Sequence, residues 1–456
     1  MKLLLKGGTI VTGEDCRQAD LLIYGEKIIG IGSGLSTADA DIADVTGKLL
    51  FPGFIDAHTH FDLEVGGTVT IDDFASGTRA AIAGGTTTVV DFATQYRGET
   101  LKEAFAKWNL KALGKASCDY GFHMSVADWN AGVSEELKDM MDKGITSFKL
   151  YMTYDAMKVN DKEIYQILER LKELGGIAGV HCENSGIIDA MVEEEKSRGH
   201  FGVAAHPLTR PAAAEAEAVN RLLRIAEIVD TPVIIVHLTS REAYKAAEQA
   251  RARGQKVYLE TCPQYLFLDD SRYEGPFFEA SKYVIAPPLR KKADQEALWQ
   301  ALAGDQIQTV STDHCSFTTG QKALGKDDFT RIPGGMPGVE TRAVLMYTYG
   351  VKGDRISLPQ MCRLLSENPA RMYGLYPRKG ALSAGSDADI VVYDPEGTGT
   401  IRAGGQIQKS DYAPYEGMPV SGRIDSVYLR GRLVMDSHRN ITQNTGQFLI
   451  RGKSLL

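Results

Sequence analysis

Eight short apolar runs, each followed by a helix-like stretch, limit what this chain of 456 residues can fold into. The runs end near His60, Phe92, Val126, Met152, Glu183, Leu238, Pro263 and His314. Their nearly continuous apolar character is typical of strands buried on both faces. Between them lie amphipathic stretches such as DKEIYQILERLKELGG, and Asp72, Ser134 and Ser240 stand where helix caps are needed. The pattern predicts an α/β protein with a (β/α)₈ TIM-like barrel; a doubly wound open sheet is the alternative.

Both ends of the chain have the pattern of strands instead. LLLKGGTIV, DLLIYGEKIIGIG and GKLLFPG precede the barrel, and ADIVVYD, RIDSVYLRGRLVMD and QFLIRG follow it. Because the strands of one end do not make a stable sheet alone, we predict that residues 1–52 and 380–456 pair into one small β-sandwich domain. The barrel then covers residues 53–379.

Composition argues against several classes of protein. The chain has 51 Lys and Arg against 59 Asp and Glu, a net charge of −8, whereas a nucleic-acid groove needs a basic face. No apolar run approaches the roughly 18–20 residues of a membrane span, and the start MKLLLKGG is too short for a secretory signal. The six cysteines are scattered, as in a reduced protein. We therefore expect a cytoplasmic location, with neither nucleic acid nor membrane as a partner.

Polar side chains interrupt the apolar runs near their carboxyl ends, where barrels of this kind carry their active sites. They are His58, His60, Lys149, His181, His237 and Asp313. His58 and His60 stand two residues apart on a strand, so both imidazoles point to the same side. Such a pair is often incidental, but imidazole suits a borderline metal such as zinc. Together with the other histidines and Asp313, the pair predicts a metal site.

Lys149 lies inside the apolar run SFKLYM, where a buried ammonium is costly and nearby metal ions would repel it. An ion pair with a carboxylate is one solution. Reaction of the amine with carbon dioxide is another, because the resulting carbamate is an anion whose two oxygens can bridge two divalent ions. The residues alone do not decide between the ion pair and the carbamate.

Asp313, in STDHCS, is an anion at the last run that would ligate a metal, shuttle a proton, do both, or cap a helix. His314 follows it and points to the other side, which indicates a residue of the core or one that supports a ligand. Thiolate ligation by Cys182 or Cys315 would suit zinc, but each points away from its neighbour's side on a strand, which favours core packing for both.

The motifs GFIDAHTH, SFKLYMTY, VHCEN, VHLTS, TCPQYL and STDHC together resemble the cyclic amidohydrolases, and more narrowly the hydantoinase/dihydropyrimidinase branch, over essentially the whole chain. The ending GALSAGSDADIVVYDP is also similar to that family's return into its small β domain. The resemblance implies two zinc ions, although manganese or cobalt can occupy such sites. His58, His60, a carbamylated Lys149 and Asp313 match the ligands of one ion, while Lys149, His181 and His237 match those of the other. A homotetramer, or at least a dimer, is also implied.

The resemblance further implies a hydrolase that opens cyclic amides, 5-substituted hydantoins or dihydropyrimidines, to N-carbamoyl amino acids. Asp313 would take the proton of the attacking hydroxide and pass it to the leaving ring nitrogen. Tyr154 would hydrogen-bond the developing oxyanion, with a packing aromatic as the alternative. An allantoinase-like ureide hydrolase is the second candidate. A non-catalytic scaffold is the third, and the complete ligand set argues against it.

Two positions depart from the family pattern. Ala286 stands where the family usually has serine, and Gly334 where it often has asparagine. The resemblance implies that main-chain groups of these segments hold the ureide, so binding tolerates both changes, whereas the orientation of the substrate is open. The loops that flank the ring substituent carry Leu63, Val65, Tyr151 and Met157. Lys158 lies in the same loops. It would either attract an acidic substituent of the substrate or simply be solvated.

Overall fold

The computed structural model of the chain describes residues 2–36 and 39–456. The strands, in chain order, are β1 (Lys2–Lys6), β2 (Thr9–Val11), β3 (Cys16–Gln18), β4 (Asp20–Tyr24), β5 (Lys27–Gly32), β6 (Asp41–Asp44), β7 (Leu49–Pro52), β8 (Phe54–Thr59), β9 (Glu64–Val65), β10 (Thr68–Val69), β11 (Thr86–Thr94), β12 (Asp119–Ser125), β13 (Ser147–Tyr151), β14 (Ile177–His181), β15 (Val233–Ile235), β16 (Val257–Thr261), β17 (Thr309–Val310), β18 (Ile390–Thr400), β19 (Pro419–Leu429) and β20 (Arg432–Met435).

The α-helices are α1 (Phe74–Ala83), α2 (Leu101–Ala112), α3 (Ala131–Asp142), α4 (Asp161–Leu174), α5 (Ser185–Ser197), α6 (Ala205–Leu208), α7 (Ala212–Val229), α8 (Arg241–Ala252), α9 (Pro263–Phe267), α10 (Phe277–Ala280), α11 (Lys292–Ala303), α12 (Thr319–Lys322), α13 (Arg342–Leu345), α14 (Leu358–Cys362) and α15 (Asn368–Met372). Short 3₁₀ turns cover Asp270–Tyr273, Ser281–Tyr283, Ala323–Gly325, Phe329–Arg331 and Ala403–Gly405, and π-helical turns cover Met346–Val351 and Arg363–Glu367. In the described part of the chain, no helix has both the length and the apolar character that a membrane crossing requires.

Eight parallel strands form the barrel, in the order β17-β16-β15-β14-β13-β12-β11-β8. The two outermost strands meet where Thr59 pairs with His314, and the His60 amide donates to the His314 carbonyl at 2.8 Å. Every residue of β11 is buried, and its run of threonines and valines suits a strand that packs on both faces. The predicted (β/α)₈ barrel is therefore confirmed, and the open doubly wound sheet is excluded.

The helix caps follow the sequence prediction only in part. Ser240 caps α8 as predicted. Asp73, not Asp72, caps α1, and Asn130, not Ser134, caps α3, so those two predictions were wrong. The Asp72 side chain is instead fully buried, where its carboxylate accepts hydrogen bonds from residues that follow β17.

The strands of the two chain ends build two sheets, with orders β5-β4-β1-β6 and β20-β19-β18-β7-β2-β3. The second sheet joins both ends of the chain, because β18 pairs antiparallel with β7 and Val391 lies opposite Phe51. One apolar cluster contains Leu5, Leu21 and Ile28 from the first sheet and Ile10, Leu50 and Val392 from the second. The domain boundaries themselves stay a prediction, and residues 1, 37 and 38 of the first range lie outside the described residues.

The chain after β20 departs from the predicted pattern. QFLIRG is not a strand of the terminal sheets; it runs along the amino ends of the barrel strands. The Gly446 amide donates to the Ala116 carbonyl at 2.9 Å, and the Leu449 amide donates to the Tyr120 carbonyl at 2.7 Å. The prediction of a strand here was wrong because an apolar pattern indicates burial alike for a strand paired in a sheet and for a segment packed against the base of a barrel.

A buried ion cluster surrounds Lys379, whose Nζ lies 2.6 Å from Asp119, 2.6 Å from Asp389 and 3.1 Å from Asp387. We expect Lys379→Met to lower the free energy of unfolding by about 3–5 kcal/mol, because the buried Asp389 then loses its counter-charge, while Asp119 keeps Arg430 and Asp387 keeps Lys27. Urea unfolding followed by circular dichroism measures the loss. The matched control is Lys27→Met, which removes a 2.7 Å contact with Asp387 from a lysine that is 47% exposed. The control should cost less than about 1 kcal/mol, and equal losses in both variants would contradict the prediction.

Candidate metal centre and active site

The six side chains predicted to bind metal meet at one end of the barrel. His58, Lys149 and His181 lie on β8, β13 and β14. His60, His237 and Asp313 lie just beyond the ends of β8, β15 and β17. All six line one cavity of about 650 Å³. Parallel strands bring their carboxyl ends to the same face of a barrel, so residues far apart in sequence meet there.

His58, His60 and Asp313 form a group that fits a metal ion. The Nε2 atoms of His58 and His60 lie 3.3 Å and 3.1 Å from Oδ1 of Asp313. One ligand atom from each of the three residues lies within 4.8 Å of the others. His58 Nε2 is buried and has no hydrogen-bond partner among the described residues. Buried polar atoms are normally satisfied, so this nitrogen, which faces Asp313, fits a site for a cation.

His181, His237 and Lys149 lie beside this group. The ring centroids of His181 and His237 are 4.5 Å apart. Lys149 is buried, and its Nζ lies 5.1 Å from the ring centre of Phe92 and 5.2 Å from that of Tyr151. Within residues 2–36 and 39–456, no carboxylate forms an ion pair with Lys149. The structure therefore does not show the ion pair that was one of the two solutions for this lysine.

Two buried glutamates that the sequence analysis missed orient the histidines. Glu260 Oε1 lies 2.6 Å from His58 Nδ1 and accepts a hydrogen bond from the His237 amide at 3.3 Å. Glu183 Oε2 lies 2.7 Å from His181 Nε2. Each carboxylate engages one ring nitrogen and leaves the other available to a metal, an arrangement common in metalloenzymes. Available signals were the glutamate inside the apolar run KVYLETCP and the His-x-Glu spacing of VHCEN.

Burial and neighbouring charge set the protonation of the ligand set. Burial lowers the pKa of His58, His181 and His237, which favours the neutral imidazole that binds metals. Burial opposes ionisation of Asp313, but the adjacent histidines and Lys149 lower its pKa to about 2. Burial also lowers the pKa of Lys149 to about 8. The cavity thus presents the neutral imidazoles of His58, His181 and His237 and a carboxylate, donors that suit zinc and similar divalent ions.

Three residues of the cavity hold backbone conformations that side chains other than glycine rarely adopt. The φ angles of Tyr154, His237 and Asp313 are 68°, 39° and 52°. Each such residue costs on the order of 1–3 kcal/mol, and residues of this kind cluster at functional sites. The sequence carries no signal for this strain.

The predicted substrate contacts lie in the wall of the same cavity. They are Leu63, Val65, Tyr151, Tyr154, Met157, Ala286 and Gly334. The ring of Tyr154 lies 5.2 Å from that of His181, and the guanidinium of Arg210 lies 5.6 Å from the Tyr154 ring. Lys158 does not line the cavity. Its Nζ lies 2.5 Å from the exposed Asp155 Oδ1 and donates to Ser185 Oγ at 3.1 Å, so these contacts at the surface engage it instead of a ring substituent.

The three remaining residues of interest differ in their surroundings. His314 is buried, with Nε2 at 3.2 Å from Asp72 and with Nδ1 accepting from the Gly338 amide, so it supports the segment around Asp313. Cys182 packs in the main apolar core, as predicted. Cys315 lines the cavity, so its interpretation as a core residue was incomplete.

A parallel barrel with histidines, a lysine and an aspartate around one cavity at its strand ends has the form of a metal-dependent hydrolase. The sequence matches the Amidohydrolase family over residues 49–434, and the chain belongs to this family. Membership implies a binuclear metal centre, and His58, His60 and Asp313 form a group able to bind metal.

Relatives cover nearly the whole chain. It is 44% identical to a D-hydantoinase of Geobacillus stearothermophilus, over 99% of this chain and 97% of that protein. It is 38% identical to a dihydropyrimidinase of Rattus norvegicus, over 99% of this chain and 89% of that protein. The crystal structure of a dihydropyrimidinase from Brevibacillus agri NCHU1002 superposes with a TM-score of 0.98 at 43% identity, over 100% of this chain and 99% of that one.

Proposed function

We propose that this chain is a binuclear-metal hydrolase that opens cyclic amide rings, 5-substituted hydantoins and dihydropyrimidines, to N-carbamoyl amino acids. The observation that carries the proposal is the convergence of the six side chains predicted to bind metal on one cavity of about 650 Å³. That size lies in the range of small-molecule sites. The names and full-length coverage of the relatives support the same substrate class.

The donor set fits two divalent ions, for which we propose zinc. His58, His60 and Asp313 would hold one ion, His181 and His237 would hold the other, and a carbamate on Lys149 would bind both. The carbamate forms when the neutral amine attacks carbon dioxide and loses a proton. Among the residues that the structure describes, no carboxylate forms an ion pair with the buried Lys149 amine, which supports this proposal. When bound, such ions lower the pKa of water and polarise a carbonyl.

The protein's own side chains handle the protons and the developing charge. Asp313 would accept a proton from the attacking water and deliver it to the ring nitrogen as the carbon–nitrogen bond breaks. The water oxygen stays on the carbonyl carbon as a carboxylic acid, whose remaining proton passes to solvent at neutral pH. The Tyr154 hydroxyl would donate a hydrogen bond to the carbonyl oxygen as negative charge develops there.

Main-chain groups would hold the ring, because Ala286 and Gly334 have no polar side chain to offer. Space alone would admit a side chain at Gly334, whereas a Cβ on Gly335 would clash with the Cys315 carbonyl. Leu63, Val65 and Met157 supply apolar surface for a substituent on the ring.

We also propose a cytoplasmic homotetramer, or at least a dimer. The six unpaired cysteines support a reducing compartment. The oligomer rests on the resemblance to the hydantoinase branch. Sedimentation of the purified protein measures it.

A substrate panel tests the function: hydantoin, phenylhydantoin, dihydrouracil, dihydroorotate and allantoin, each with metal-loaded protein. We expect ring opening of the hydantoins and dihydrouracil with kcat of roughly 1–10³ s⁻¹, the ordinary range of enzymes. Chromatography of the N-carbamoyl products follows the reaction. A clear preference for allantoin would make the enzyme allantoinase-like. No turnover of any compound at full metal loading would contradict the proposal and favour a scaffold.

A further inference from the structure

Lys322, the last residue of α12, is a fully buried lysine that belongs to no ion pair within the described ranges. Its Nζ donates hydrogen bonds to three main-chain carbonyls, at 2.9 Å to Val284, 2.7 Å to Pro333 and 2.7 Å to Gly335. Three acceptors around one nitrogen require three N–H donors. An ammonium supplies three, whereas a neutral amine supplies two and a lone pair.

A charge held this way is expensive to bury. Burial lowers the pKa of Lys322 to about 7, so the charged form depends on the carbonyls around it. Hydrogen bonds from an ionised donor are roughly twice as strong as neutral ones. The lysine therefore ties the segments that carry these three carbonyls firmly to α12.

Those segments form part of the cavity wall. Ile285 and Ala286 follow Val284 directly, and Gly334 lies between the other two acceptors; all three line the cavity. The Gly335 amide also donates to the Val284 carbonyl at 3.0 Å, so the two segments are joined to each other. Lys322 thus fixes the main chain that the proposed function assigns to holding the substrate ring.

The preceding residue, Gln321, holds a third part of the wall. Its Nε2 donates to Thr68 Oγ1 at 2.8 Å and to the Val69 carbonyl at 2.7 Å, both on the hairpin β9–β10 at the cavity opening. Its Oε1 accepts from the Thr318 amide at 2.9 Å and caps α12. The oxygen of the Gln321 side-chain amide therefore caps the helix, and its nitrogen binds the hairpin.

A residue far along the chain, Asp411, holds α12 in place. The amide and hydroxyl of Thr319 donate to the Asp411 carboxylate at 2.8 Å and 2.6 Å. One short turn therefore connects the segment around Asp411 to three parts of the cavity wall.

We propose that α12 is a positioning element for substrate binding, in which Lys322 fixes the ring-holding main chain and Gln321 fixes the hairpin beside the ring substituent. This inference rests on the proposed hydrolysis of cyclic amides. Neither side chain touches the reacting atoms. Both act through the cavity wall, which would contact the substrate equally in the ground state and in the transition state. Removing either side chain should therefore raise KM more than it lowers kcat.

The test compares Lys322→Met and Gln321→Glu in the full-length, metal-loaded enzyme. Lys322→Met is expected to raise KM about tenfold for hydantoin and phenylhydantoin alike, with kcat within about threefold. Gln321→Glu keeps the cap but turns an oxygen toward the Val69 carbonyl, so KM should rise more for phenylhydantoin than for hydantoin. Lys172→Met, which removes a 2.8 Å bond to the Val229 carbonyl away from the cavity, is the control and should leave both constants unchanged.

Hydrogen exchange gives a readout that needs no activity. Protection of the Gly335 amide should fall in Lys322→Met but not in Lys172→Met, with equal metal content in both. If Lys322→Met does not fold, Lys322→Gln, which keeps two N–H donors, should show an intermediate KM and exchange rate. A variant of Lys322 that melts earlier but keeps normal KM and normal exchange at Gly335 would overturn the proposal. An inactive wild type would instead refute the proposed function, and the exchange result would still stand.

Discussion

A Lys149→Ala variant is expected to lose turnover of hydantoin by at least about 10³-fold, because it removes the anion proposed to bind both metal ions, each worth several kcal/mol to the transition state. Bound metal should fall with it, since only histidines and Asp313 remain. The side chain is buried on β13 between aromatic rings, and within the described residues no carboxylate forms an ion pair with it. Alanine therefore leaves a space of roughly the right size for a small molecule. Metal analysis and kinetics on the same preparation measure both losses.

Chemical rescue of Lys149→Ala distinguishes a carbamate at position 149 from an unmodified amine. Propionate supplies a carboxylate in place of the carbamate and should restore part of the activity of Lys149→Ala, while leaving wild type unaffected. Ethylammonium supplies only a cation and should restore nothing. Near-normal turnover of the variant without additive, or rescue by ethylammonium alone, would contradict the bridging role.

The second large effect is expected at Asp313. Asp313→Asn should lower kcat by about 10²–10⁴-fold, because the amide cannot accept a proton from water and return it to the ring nitrogen. The amide oxygen still reaches the positions near His58 and His60, so metal loss should be smaller than in Lys149→Ala. Single-turnover measurements with equal metal loading isolate the chemical step.

The control is Asp142→Asn at the end of α3, an exposed carboxylate paired with Lys138 at 2.8 Å. It should behave as wild type. If Asp313→Asn, loaded with metal to the wild-type level, turned over at the wild-type rate, a proton-transfer role for Asp313 would be wrong.

The barrel could be predicted from the sequence because its signal is local. Runs such as TTTVVDF report burial on both faces, and the helices between them carry their own caps. The segment QFLIRG shows the limit. Its apolar pattern indicates burial but not the partner, and only the tertiary structure shows that it covers the base of the barrel.

The ligand positions could be predicted for the same reason, since a charged or imidazole side chain inside an apolar run is visible in one dimension. The contacts that support them could not be predicted, although Glu260 itself is visible inside the apolar run KVYLETCP. Glu260 meets His58 across 202 positions, and Lys322 meets Val284 across 38, and no pattern in either segment indicates the other. The left-handed backbone at His237 and Asp313 is likewise imposed by the fold rather than by residue type.

A crystal structure of the purified, metal-loaded enzyme, with anomalous scattering measured at the zinc edge, tests the central claim most directly. We expect two ions per chain, one beside His58, His60 and Asp313 and the other beside His181 and His237, with density for a carboxylate attached to Lys149 Nζ between them. A single ion, ions bound elsewhere, or a fully loaded and active enzyme whose Lys149 is an unmodified amine would contradict it.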